Sequence, residues 1–238
     1  MKACVLVFVF SCMGCGIPVH GQELSPEKYW MWPGAPVHED RISVSRLRHT
    51  PPGKALSAFK RGYRHALHQN AKQAAMEFEH AVTLDPEFSE AHSDLGGQYV
   101  LLGHLDKAVA HYRRAVELDA TTSIYHSNLA VLLAMQRQYE QATAEAQTAF
   151  ALDASNPIAR YMLGWESTRR SQNLDEAITH LKFAASKIRE ARFILAIALR
   201  KKGDFRSARN EMETYLKSSP PPGDRKDIEL WKSALVPR

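Results

Sequence analysis

"AVTLDP", residues Ala81 to Pro86, returns as "AVELDA" at Ala115 to Ala120 and as "AFALDA" at Ala149 to Ala154. Each echo begins 34 residues after the one before. A line of small residues keeps almost the same interval: Gly62, Gly96, Ala130, Gly164 and Ala196. Behind it runs a second small series, Ala74, Ala108, Ala142, Ala177 and Ala208. Four residues further on in every copy stands a third series, Phe78, Tyr112, Ala146, Leu181 and Met212. A period of this length marks one supersecondary unit copied along the chain, and it decides the fold before any local reading does.

The spacing within a copy predicts two helices joined by a turn. In the second copy the first helix is expected over roughly Glu90 to Leu102, with Leu95, Gly96 and Tyr99 on one face. Gly103-His104 breaks it, and breakers recur at Asn70, Gln136 to Gln138, Ser171 to Asn173 and Gly203-Asp204. The second helix is expected from near Asp106, whose carboxylate suits a helix start. It carries Ala108, Tyr112 and Ala115 as one apolar stripe. Small residues let two helix backbones approach, and large ones fill the space between neighbouring pairs. Leu84-Asp85-Pro86 then stops the second helix of the first copy, because the residue before a proline disfavours the helical region. Asp85, Asp119 and Asp153 share one position in the repeat, which predicts turn hydrogen bonding rather than a gathered carboxylate site.

Leu95-Gly96-x-x-Tyr99, Ala108-x-x-x-Tyr112, Ala115 and the "LDP"-type end resemble the tetratricopeptide repeat, as does the period. The resemblance implies an all-α fold, a right-handed α-solenoid of about five helix-turn-helix repeats with a C-terminal capping helix. The copies fall at 55–88, 89–122, 123–156, 157–188 and 189–222, so the repeat domain spans 55–222. The fourth copy has one inserted residue in its internal turn and "SKIRE" where the stop belongs. At the family's early Trp position stand Ala58, His92, His126, Arg160 and Arg192. The tail 223–238 puts Ile228, Trp231 and Leu235 on one helical face, suited to cover the last repeat.

The ends carry different information. Lys2, an apolar run from Ala3 to Met13 and the small residues before Gln22 have the layout of an export signal over 1–21. Cleavage after Gly21 is the adopted reading. Lipidation at Cys15 and retention as an uncleaved anchor are the alternatives, and they are the only routes to a membrane that the sequence offers. All three cysteines (Cys4, Cys12, Cys15) lie in this segment, so no disulfide is expected in the mature chain, which is placed in the periplasm or cell envelope. Residues 22–54 are Pro-rich and irregular and contain Tyr29-Trp30-Met31-Trp32-Pro33, which can pack on the repeats or bind a partner.

With 45% hydrophobic and 24% charged residues, the composition is that of a globular protein. Net charge is +5, unevenly spread: residues 22–156 hold 13 Lys+Arg against 16 Asp+Glu, and residues 157–238 hold 17 against 10. The basic residues are not interleaved with stacking aromatics, so nucleic acid is not the expected partner. His65 and His68 stand three apart on a helix, but no third ligand is spaced to join them, and no metal or other cofactor is expected. No G-x-S-x-G, H-E-x-x-H or Gly-rich phosphate loop occurs, and the chain is read as a non-enzyme.

The resemblance further implies a concave groove lined by the first helix of each repeat. Its inward positions place Phe59, Tyr63 and Leu67 there from the first copy, and Ser93, Gly97 and Leu101 from the second. Ser127, Val131 and Met135 follow from the third, Tyr161, Trp165 and Arg169 from the fourth, and Phe193, Ile197 and Arg200 from the fifth. Aromatic and Arg anchors suit a protein or peptide ligand, with acidic character favoured towards Arg169 and Arg200. The expected function is a protein- or peptide-binding scaffold of the cell envelope. A structural component whose groove is filled by its own Trp30/Trp32 segment, and a metal-dependent enzyme built on a solenoid, are the alternatives.

Overall fold

The computed structural model describes residues 49–217. The expected signal, most of the Pro-rich segment with its Trp30/Trp32 cluster, and the capping helix lie outside the described residues. Among the described residues every regular element is an α-helix. In chain order they are α1 (Gly53–Leu67), α2 (Ala71–Leu84), α3 (Ser89–Leu101), α4 (Leu105–Leu118) and α5 (Ser123–Met135). Then come α6 (Tyr139–Leu152), α7 (Pro157–Arg170), α8 (Leu174–Ala185), α9 (Ala191–Lys202) and α10 (Phe205–Lys217). The fold is all-α and built of helix-turn-helix pairs. Helix α3 starts and stops one residue before the span expected from sequence.

Both kinds of turn have local causes. Inside each pair the chain reverses through left-handed residues, one in four of the turns, at Gln69 (φ 57°), Gly103 (φ 77°), Arg137 (φ 62°) and Gly203 (φ 90°), and two in the longer turn of the fourth pair, at Ser171 (φ 55°) and Asn173 (φ 47°). Glycine adopts this conformation freely, whereas a side-chain-bearing residue there costs roughly 1–2 kcal/mol. Between pairs, Asp85, Asp119 and Asp153 cap the second helices in an extended conformation. Asp119 accepts from Thr121 N at 3.0 Å, Thr121 Oγ1 at 2.6 Å and Thr122 Oγ1 at 2.6 Å. Asp153 accepts from Ser155 N at 2.8 Å and Ser155 Oγ at 2.6 Å. Asp85 accepts from Glu87 N at 3.2 Å and sits 2.7 Å from His49 Nε2. The recurring aspartates are turn braces, as their shared register suggested.

The described residues fall into two compact units, 49–159 and 160–217. In the first, α1 packs on α2, α3 on α4 and α5 on α6, and α2 and α4 also pack on α3 and α5. The second helices bury one stripe each: Ala74, Ala75, Phe78 and Ala81 on α2, and Ala108, Val109, Tyr112 and Ala115 on α4. On α6 the stripe is Ala142, Ala146 and Ala149. Their other faces meet solvent. By contrast α3 is buried from Ser89 to Val100 except at Asp94, and α5 from Tyr125 to Ala134. These first helices are therefore the inner layer and the second helices the outer one.

Asn156 closes the unit. Its side-chain amide donates to Ser123 Oγ at 2.8 Å and Ser127 Oγ at 3.2 Å, while its Oδ1 accepts from Ile158 N and Ala159 N at the start of α7. In the second unit α9 packs on both α8 and α10 and is buried from Phe193 to Leu199. There α10 contributes Ala208, Met212, Tyr215 and Leu216.

Backbone approach explains the small residues. A Cβ at Gly62 would lie 2.7 Å from Phe78 Cδ1, one at Gly96 3.1 Å from the Tyr112 ring, and one at Gly164 2.5 Å from Leu181 Cγ. Where the second-helix residue is itself small, at Ala146, the first helix carries Ala130 instead.

Candidate functional site

The first helices deliver the fifteen residues expected to line a groove, and their burial follows one rule. In the first unit Phe59, Ser93, Gly97, Ser127 and Val131 are buried, Tyr63 and Met135 are half-buried, and Leu67 and Leu101 are exposed (55% and 37%). In the second, Tyr161, Trp165, Phe193 and Ile197 are buried, and Arg169 and Arg200 are half-buried. In every copy, then, the side chains in the first and middle turns are covered more deeply than the one in the last turn. Solvent reaches Leu67, Leu101 and, in part, Tyr63 and Met135 in the first unit, and Arg169 and Arg200 in the second. Phe59 serves as core, its ring 5.4 Å from Phe78 and 4.9 Å from Phe88 between centroids. Phe193 likewise lies 5.7 Å from Tyr215.

Arg169 is held in place rather than extended. Its guanidinium donates to both oxygens of Glu166 at 2.7 and 2.8 Å, and Arg170 Nε donates to the same carboxylate at 2.5 Å. Burial raises the Glu166 pKa, and the two guanidiniums more than reverse it, leaving the carboxyl below its ordinary range. The Arg169 guanidinium also lies 5.9 Å from the Trp165 ring centre. Two amide oxygens of the inner layer, Gln98 Oε1 and Asn128 Oδ1, are buried and accept no hydrogen bond among the described residues. Gln98 stands three residues before Leu101, and Asn128 stands two turns before Met135, so each lies on the same side of its helix as the open last-turn residue.

The early position that lacks the family's Trp carries polar latches from first to second helix, which sequence reasoning missed. His126 Nδ1 is 2.6 Å from Glu145 Oε2, and its Nε2 is 3.0 Å from Ala120 O. Arg192 Nη1 donates to Glu211 at 2.8 Å. His92 takes the same pose, Nε2 3.2 Å from Pro86 O, but its Nδ1 meets another imidazole, His111 Nδ1, at 3.0 Å. The consequences for protonation are opposite. The Glu145 hydrogen bond raises the His126 pKa, whereas burial lowers that of His92 and brings His111 down to about 4. Tyr99 stacks on His111 at 5.5 Å and donates to Glu79, and its hydroxyl is pushed up to about 12, chiefly by burial. The signal available in the sequence was the 19-residue offset, constant from His92 to His111, His126 to Glu145 and Arg192 to Glu211.

Among the described residues no three His, Cys, Asp or Glu side chains stand close enough to share a metal ion. No described helix is long and apolar enough to cross a membrane. What the geometry defines in each unit is a set of packed helix pairs whose first helices are least covered at their last turns.

The comparisons with known proteins agree with that class. Residues 89–122 match the tetratricopeptide-repeat family. None of the curated proteins matches the chain. Among solved structures, MamA is 23% identical with a TM-score of 0.53, over 66% of this chain and 92% of that one. TTC0263, a thermophilic TPR protein of Thermus thermophilus, is 18% identical with a TM-score of 0.58, over 76% and 98%. YrrB, described as a TPR protein with an unusual peptide-binding site, is 16% identical with a TM-score of 0.53, over 74% and 91%. Such likeness shows the fold, which is that of tetratricopeptide-repeat proteins.

Proposed function

We propose that this protein is a non-enzymatic scaffold of the cell envelope that binds a protein or peptide along the last turns of its first helices. The carrying observation is the repeated opening at one register. Among the expected groove residues of the first unit Leu67 and Leu101 are exposed and Met135 is half-buried, each in the last turn of its helix, whereas α3 and α5 are otherwise buried almost throughout. Apolar anchors at a regular spacing suit a ligand that presents apolar side chains in series. YrrB, with its peptide-binding site, supports the same reading by analogy of fold. The envelope location rests on the signal-like layout of residues 1–21.

A photo-crosslinking residue at Leu101, compared with one on the outer helix at Arg113, tests the surface. A partner crosslinked from position 101 and not from 113, and lost in Leu101→Glu/Met135→Glu with helicity intact, is the expected result. Equal crosslinking from both positions refutes the site. Fractionation of the tagged full chain tests the location: recovery with cytoplasmic markers refutes it.

A further inference from the structure

From residue 41 to residue 76 the sequence holds eight Lys+Arg and no Asp or Glu, whereas residues 77–156 hold four Lys+Arg and twelve Asp+Glu. The near-neutral sum over this half of the chain hides a basic island followed by an acidic stretch. The structure puts part of the island on one surface. Helix α1 buries Ala55, Ala58, Phe59 and Gly62 and turns Lys54, Ser57, Lys60, Arg64, Leu67 and His68 to solvent. Lys60, Arg64 and His68 follow at i, i+4 and i+8, one stripe of the helix, and Lys72 adds an exposed ammonium from the first turn of α2. Arg61 is neutralised by Glu77, at 2.8 Å from Nη2 and 2.9 Å from Nε. Lys54, Lys60, Arg64 and Lys72 have no carboxylate partner among the described residues. Beside the cations stands Leu67, more than half exposed at 55%.

We propose that this face of α1 docks on an anionic lipid surface. Unpaired cations around an exposed apolar side chain are what a headgroup layer over hydrocarbon recognises. The exposed side of a single helix has neither a strand edge nor a cleft in which to read a peptide, and no exposed Phe, Tyr or Trp lies on it for a base to stack on. Position along the chain adds to this. The apolar run Ala3–Met13 precedes α1 by about forty residues, a tether with an r.m.s. span on the order of 35 Å if flexible. Where that run stays in a membrane, or a lipid holds Cys15, α1 is kept at high effective concentration beside the headgroups. The face shares Leu67 with the proposed protein-binding register, but its cations Lys54, Lys60, Arg64 and Lys72 lie on α1 and α2, apart from the last-turn positions on α3 and α5, so a Leu101→Glu/Met135→Glu variant that has lost its partner still docks.

The test is co-sedimentation of the full chain with phosphatidylcholine vesicles, with and without about one third phosphatidylglycerol. The apolar run contributes equally to both, so the ratio of the two affinities isolates the face. Each cation near an anionic surface is worth about fivefold at low salt (about 1 kcal/mol). Lys54→Gln/Lys60→Gln/Arg64→Gln is therefore expected to lower the ratio on the order of a hundredfold, with helicity unchanged. Raising the salt should erase the ratio for the unmodified chain. Leu67→Ser should weaken binding to charged vesicles several-fold and leave binding to polyglutamate unchanged. Should the triple variant not fold, Lys60→Gln alone reads the fivefold step. A ratio near one, a ratio the substitutions do not move, or polyglutamate binding tighter than that of charged vesicles would each overturn the proposal, the last by assigning the face to an acidic protein.

Discussion

Gly164→Ala should destabilise the second unit although alanine is the better helix former. A Cβ at this position meets Leu181 Cγ at 2.5 Å and the Ala177 carbonyl oxygen at 3.0 Å. Carbon atoms in contact sit at about 3.5–4.0 Å, so α7 and α8 must separate by about 1 Å. Neither obstacle can swing aside: one is a branch carbon close to its own backbone and the other is backbone. Overpacking of this kind costs roughly 1–3 kcal/mol. The helical preference of Ala over Gly returns up to about 1 kcal/mol. The net loss expected is about 1–2 kcal/mol. Gly96→Ala is the internal comparison. Its nearest neighbours are Tyr112 ring atoms at 3.1 and 3.2 Å, which need move only a few tenths of an ångström. There strain and propensity nearly cancel. Urea unfolding followed by far-UV circular dichroism reads both, provided the slope with denaturant is unchanged. The loss at Gly164 should shrink in a Leu181→Ala background, because the nearest clashing atom is gone. Equal stability for Gly164→Ala and the parent protein, or a loss unaltered by Leu181→Ala, refutes the close-approach argument.

Other perturbations probe other links. Arg137→Gly should stabilise by roughly 1 kcal/mol, since it relieves a left-handed residue at an exposed turn; a lower urea midpoint would contradict this. Asp119→Ala removes three hydrogen bonds to a buried carboxylate and should cost about 1–3 kcal/mol, and a shift below about 0.5 kcal/mol would refute its role as a brace. Histidine proton titration should show His126 still charged at a pH where His111 is neutral. With its folded pKa raised, His126 contributes stability that is complete below the ordinary imidazole value of 6.5 and is lost as pH rises through the folded pKa. His111, lowered to about 4, contributes the reverse: stability present above 6.5 is lost as pH falls towards 4. A His111 resonance titrating near 6.5 would refute the buried pairing.

The sequence made the pairing of helices readable because a repeat multiplies weak signals. One Gly in a helix says little, but Gly62, Gly96 and Gly164 stand opposite Phe78, Tyr112 and Leu181 respectively, and Ala130 and Ala146 hold the same two registers in the third copy. Depth was not readable. Period fixes which side chains share a face, yet Val131 and Met135 share one and differ in burial, because cover depends on what packs over each turn. Left-handed turns were visible where glycine marks them, at Gly103 and Gly203. They were invisible at Gln69, Arg137 and Ser171, where the length of the connection imposes the conformation on residues that do not prefer it. Asn156, which joins two serines and the start of α7, belongs to no repeated series, and so periodicity could not find it.

The latches suggest how repeats of one design remain distinct from one another. An ion pair as accessible as Arg192–Glu211 contributes at most about 1 kcal/mol, too little to hold two helices together against the apolar stripe beside it. What such a pair can do is fix register, since each partner accepts only its opposite. Arg61–Glu77, His126–Glu145 and Arg192–Glu211 all place the cation on the first helix and the anion on the second. In the second copy both partners are imidazoles, which can share one proton but not hold two at 3.0 Å without repulsion. In the fourth, Arg160 lies over the Phe183 ring at 4.3 Å. A His111→Glu substitution would give the second copy the pattern of the third. It should raise the His92 pKa above its present lowered value and move the loss of stability from the acid to the alkaline side of the imidazole range. If the acid side still governs in that variant, the latch is not what sets the titration of this helix pair.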